Sequence, residues 1–187
     1  MSRIGAAIKN LPIAVERPTL IKQLITLNVG AYAYYQVASG PEKGRFNQLF
    51  TLTEESGPQS LLFFHFAHNS IVPLLFNVGV LASVGGYHVA THGCNHFAKI
   101  FGIGAAGAAL FAGFDMRRNP NQRQAGGLGA SAGLLTYHIF RNPSVLYFTR
   151  VSPLSILALF AFYGVYADDK AVLGGLGAGY LAFLAAL

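Results

Sequence analysis

Charge is what this sequence most lacks. Only 11% of its 187 residues are Asp, Glu, Lys or Arg, where a soluble domain carries about a quarter. Cysteine is nearly absent: Cys94 stands alone, so no internal disulfide can form. There is no tryptophan. No in-out alternation runs along the apolar segments, which argues against a membrane β-barrel. No repeat, coiled coil or soluble domain is visible. Basic residues exceed acidic ones, 13 to 7, but they are scattered. With no basic stripe, nucleic acid is not an expected partner, and the excess reads as loops facing anionic lipid headgroups.

What is present is apolar and small. Hydrophobic residues make up 53% of the chain, which holds 22 glycines, and mean hydropathy is +0.45. Glycine at that density in an apolar chain marks membrane helices, where it lets backbones approach. A span needs about 20 apolar residues. Six candidates follow, at about 19–37, 70–87, 96–114, 127–140, 144–166 and 170–187. The fourth is short. Residues 38–60 are expected to be a polar loop, and LLFFHFAH, before the second span, an interfacial segment. The first 18 residues are basic without a long apolar run, so no cleavable signal is expected. The domain division is thus 1–18, a basic segment, and 19–187, a six-helix membrane domain. Lys and Arg divide almost evenly between the two faces, so orientation is nearly a tie. Six of the seven acids lie on the face opposite the termini, which favours termini toward matrix or cytoplasm.

GLGASAGLL, residues 127–135, poses the chemical question. Ser131 among glycines and alanines is either a nucleophile or a small residue that lets helices touch. HNSIVPLLFN, at the second span, places His68 and Asn77 nine residues apart with Pro73 between them. Polar groups in membrane helices usually face the protein interior. His68 and Asn77 can serve as oxyanion donors or simply bond between helices.

The order LITLNVGAYAY, HNSIVPLLFNVGVLASVGG, GLGASAG and AVLGGLGAG resembles the rhomboid family of six-helix intramembrane serine proteases. The resemblance covers nearly the whole chain beyond residue 19. It implies that His68 and Asn77 match the family's first histidine and asparagine, and that Gly129 and Ser131 match its Gly-x-Ser nucleophile motif. Gly175 and Gly179 match the small-residue seam of its last helix. Three features depart from the pattern. Pro73 falls where a second histidine belongs, Val172 falls where the catalytic histidine belongs, and the family's Trp-Arg pair is missing. A serine hydroxyl needs an adjacent base, and valine takes no proton. His138 cannot replace it, because seven helical residues separate it from Ser131 by about 10 Å. The oxyanion side is impaired as well, since proline has no N–H to donate. His65 and His68 sit at oxyanion rather than base positions.

The packing code is intact. Gly102, Gly104 and Gly107 of the third span, and Gly175 and Gly179 of the sixth, are expected to carry close helix contacts. YHVATHGCNH holds His88, His92, Cys94 and His96. His88 and His92 have i, i+4 spacing, but Gly93 is expected to break the helix after them. There is no second cysteine, so these four are the metal-ligand candidates and no metal is expected. Arg117, Arg118 and Arg123, in DMRRNPNQRQ, are candidates for anionic-lipid or partner contact. Asp168 and Asp169 precede the last helix, where they suit its positive end.

The sequence thus implies an all-α membrane protein with a rhomboid-like six-helix bundle and no enzymatic activity. The expected role is a structural or accessory subunit of a large membrane complex, foremost a respiratory-chain or ATP synthase complex of the mitochondrial inner membrane. One alternative is an inactive rhomboid-like factor in membrane protein translocation or quality control. Another is an active intramembrane protease using Ser131. Expected partners are other membrane subunits and anionic lipids. No cofactor is expected, and a bound phospholipid such as cardiolipin is compatible with the basic loops.

Overall fold

A computed structural model describes residues 17–53, 56–68, 70–118, 125–142, 152–167 and 169–185. The chain is all-helical, with no β-strand among the described residues. Among the described residues eight helices follow one another, α-helical apart from a π-helical stretch, Leu81–Gly85, inside the fourth. They are α1 (Arg17–Val37), α2 (Gly40–Phe50), α3 (Ser60–Phe63), α4 (Ile71–His92), α5 (Cys94–Arg118), α6 (Gly129–Arg141), α7 (Pro153–Tyr166) and α8 (Lys170–Leu184). A 3-10 turn, Phe64–Phe66, follows α3. Two helices, α4 with 22 residues and α5 with 25, are long and apolar enough to cross a membrane. The expected basic segment 1–18 lies outside the described residues except for its last two positions.

Local chemistry explains the boundaries. Ser70 takes an extended conformation immediately before α4, so Pro73 falls in the first turn, where a missing N–H costs no helical bond. Gly93 has φ +83°, a left-handed conformation that glycine adopts without strain; it separates α4 from α5. Asp169 caps α8, its carboxylate accepting from the Val172 N–H at 3.3 Å. That bond satisfies one orphan donor of the first turn. Asp168 lies outside the described residues.

The stretch 38–60 is not wholly loop. Ser39 and Pro41 start α2, proline being pre-shaped for a first helical turn. Phe46 is buried and stacks on Phe50 with ring centroids 4.4 Å apart. The glycines and charges of GPEKGRFNQLF hide this aromatic face from a hydropathy reading.

Helix α6 is the most deeply buried element. All residues of α6 from Gly129 to Ile139 are buried, enclosed by α4, α5, α7 and α8. A helix that is covered on every side belongs to an interior. Its 13 residues reach about 20 Å, less than a bilayer core of about 30 Å.

Small residues permit this enclosure. An added Cβ at Gly104 would lie 2.8 Å from the Ala130 carbonyl oxygen, and at Gly107 2.6 Å from that of Gly174. At Gly179 it would lie 2.8 Å from the Gly133 carbonyl carbon. Thus α5, α6 and α8 touch backbone to backbone. Gly102 does not join them: it is exposed with nothing within 4 Å. It sits two residues before Gly104, and a turn of 3.6 residues carries it to the far side of α5.

Candidate functional site

Ser131 lies in the first turn of α6 and is wholly buried. Its hydroxyl donates to Asn77 Oδ1, from the second turn of α4. Asn77 Nδ2 donates to Asn28 Oδ1 on α1 at 2.7 Å. His68 Nε2 lies 2.9 Å from the same oxygen. Asn28 Nδ2 donates to the Leu24 carbonyl at 2.7 Å. One donor pattern satisfies these contacts: His68 carries its proton on Nε2 and donates it to Asn28. The longer Asn77–His68 contact, 3.3 Å, then sets two donors near one another and contributes little. Four side chains from three helices and one connecting segment form a single polar network. All are buried, His68 being the most exposed at 5%.

Asn28 is the member that the sequence reading did not assign. Its signal was a lone amide in the apolar run LITLNV, costly in lipid unless paired inside the protein.

Among the described residues no base meets the serine. Of the described residues, Asn77 is the hydrogen-bond partner of Ser131 Oγ. Val172 is fully buried in the same apolar cluster as Leu128 and Ala132. Pro73 lines a cavity of about 10 Å³ beside His68, about the room that one water needs. Gly129 backs onto α8, where a Cβ would stand 2.7 Å from the Ala171 carbonyl oxygen.

The segment holding His65 and His68 is tied to the chain before α6. Gly126 N–H donates to Phe64 O and Gly127 N–H to Ala67 O, each at 3.1 Å. A side chain at 127 would collide with His68, 2.6 Å from Nδ1. Burial lowers both histidines from 6.5 to about 4; for His65 a backbone hydrogen bond with Gly126 acts in the opposite direction. Both rings therefore stay neutral at physiological pH. Each leaves Nδ1 buried without a hydrogen-bond partner.

A second polar cluster lies at the other end of α6. His88 and His92 on α4, His96 on α5 and His138 on α6 stack around one another. His88 Nε2 is 2.7 Å from His96 Nδ1, and His88 Nδ1 meets His138 Nε2. Ring centroids are 4.9 Å apart for His88–His92, 5.3 Å for His92–His96 and 4.6 Å for His88–His138. The break at Gly93 does not separate these residues, because α5 restarts at once and presents His96 to the end of α4. His138, not grouped with them in the sequence, completes the set. Cys94 packs partly buried against the apolar core. As placed, no three His, Cys, Asp or Glu side chains among the described residues converge on a single ion.

Arg117 and Arg118 end α5; Arg123 lies outside the described residues. Arg117 borders a groove of about 550 Å³ whose walls include Leu52, Leu61, Leu110 and Phe114. Set against known proteins, the chain matches no family model, and no curated protein matches it either.

Proposed function

We propose that this chain is a non-catalytic, rhomboid-like membrane subunit that serves as a structural or accessory part of a large membrane complex, foremost a respiratory-chain or ATP synthase complex of the mitochondrial inner membrane. The observation that carries the proposal is the Ser131 hydroxyl bonded to Asn77, with an aliphatic residue at 172 where the resemblance requires imidazole. A nucleophilic serine needs a base within hydrogen-bond reach. Here the hydroxyl donates to an amide oxygen, which does not take up its proton. Asn77, Asn28 and His68 then act as interhelical ties rather than oxyanion donors.

Two features support a membrane and a partner. Helices α4 and α5 are long and apolar enough to span, and large apolar side chains such as Leu75, Leu110, Phe114 and Phe162 are more than half exposed. Large exposed apolar side chains of this kind suit contact with lipid or protein. The groove beside Arg117 suits an acyl chain whose anionic headgroup meets the guanidinium.

The test is native purification from a mild-detergent extract. The chain is expected to migrate inside an assembly many times its own 19.9 kDa mass, with other membrane subunits at fixed stoichiometry. Migration as a lone chain in its micelle overturns the proposal.

A further inference from the structure

We propose that His88, His92, His96 and His138 form a closed structural site for a divalent transition metal of the zinc class. The proposal is independent of the rhomboid-like reading. In a tetrahedral four-imidazole site, a metal–nitrogen bond of about 2.0–2.1 Å plus the ring radius separates ring centroids by about 5 Å. The separations here are 4.6 Å, 4.9 Å, 4.9 Å, 5.3 Å and 6.2 Å across five of the six pairs. Four of these pairs stand at the spacing that such a site needs, and His92–His138 is wider. What differs is rotation: His88 spends both nitrogens on neighbouring rings, and turning the rings about their side-chain bonds aims one nitrogen of each inward.

Two details point to a ligand. His138 is 1% exposed yet leaves Nδ1 without a hydrogen-bond partner, so the protein alone does not satisfy that ring. His92 is already engaged at Nδ1. Thr91 Oγ1 lies 2.6 Å from His92 Nδ1, 2.9 Å from the Tyr87 carbonyl and 3.4 Å from the His88 carbonyl. With the hydroxyl proton on a carbonyl, His92 carries its own proton on Nδ1 and its lone pair on Nε2, the form that binds a metal. Fixing the second nitrogen in this way is how outer partners orient a metal-bound imidazole. An all-imidazole set suits zinc, copper or nickel, and the tetrahedral spacing selects zinc. Four protein ligands leave no open position, which makes the site structural. It would clamp the end of α4 and the start of α5 to the end of α6.

The test uses the full-length chain in detergent, stripped with chelator, dialysed against Zn²⁺ and analysed for metal by mass spectrometry. One zinc per chain is expected. His92 is exposed, so His92→Ala keeps the fold, checked by circular dichroism, and is expected to weaken zinc at least tenfold. Thr91→Val keeps all four imidazoles and is expected to weaken it about tenfold through the lost outer bond. Cobalt substitution is expected to give the intense visible bands of tetrahedral coordination, lost in His92→Ala. Substoichiometric zinc in the folded wild type, or affinity within twofold of wild type in His92→Ala, overturns the proposal.

Discussion

Gly175→Ala is expected to lower the thermal midpoint sharply, while Gly177→Ala, two residues along the same helix, leaves it unchanged or raises it. The contrast follows from what each new methyl group meets. At 175 a Cβ would stand 2.7 Å from the Gly129 carbonyl carbon and closer still to its oxygen. Both obstacles are backbone of the buried helix α6, so no side chain can swing aside and α8 must move away. Overpacking a filled interior costs about 1–3 kcal/mol, and in lipid the loss is compounded, because close packing is what holds helices together. At 177 nothing lies within 4 Å, and alanine gains up to about 1 kcal/mol of helix propensity over glycine. Thermal unfolding of the two variants in detergent, followed by circular dichroism, checks this. Equal midpoints would mean that α6 and α8 do not meet through glycine.

The second large effect is acid sensitivity from His65 and His68. Both are lowered by burial from 6.5 to about 4, so the folded state binds fewer protons than the unfolded state between those values. Stability is therefore fully present above about pH 6.5, falls as pH drops toward 4, and levels off below that. Each histidine contributes up to about 3 kcal/mol across the window, at about 1.4 kcal/mol per pH unit. Melting curves between pH 7 and 5, above most carboxylate titrations, are expected to show a falling midpoint. A His65→Gln/His68→Gln double variant is expected to show a shallower slope. An unchanged slope in that variant contradicts the assignment of the loss to these two rings.

Much of the helical pattern was legible because apolar runs and small residues are local signals, although only α4 and α5 of the described helices reach membrane-spanning length. The segments that became α1, α4, α5, α6, α7 and α8 are visible as apolar runs, and Gly104, Gly107, Gly175 and Gly179 stand out by spacing. Gly102 belonged to the same run, but which side of α5 meets α6 is decided by packing rather than composition. Helix α2 was missed because its stability rests on two stacked phenylalanines inside a polar stretch.

The sites were legible only in part for a similar reason. Ser131, Asn77 and His68 could be singled out as polar groups in apolar surroundings. The amide that joins two of them, Asn28, lies 40 residues from His68 and 49 from Asn77, so only the arrangement of α1 against α4 brings them together. His138 meets His88 across 50 residues. The local run from 88 to 96 gave three of the four imidazoles, and the fourth needed the crossing of α6.

The claim on which the account rests is that the Ser131 hydroxyl is a bonding group rather than a nucleophile. Fluorophosphonate labelling tests it most directly, because such probes phosphonylate serines activated by a neighbouring base, the serine oxygen displacing fluoride from phosphorus. The full-length chain in detergent is expected to take up no label at neutral pH. Stoichiometric labelling of the wild type that disappears in Ser131→Ala would contradict the account.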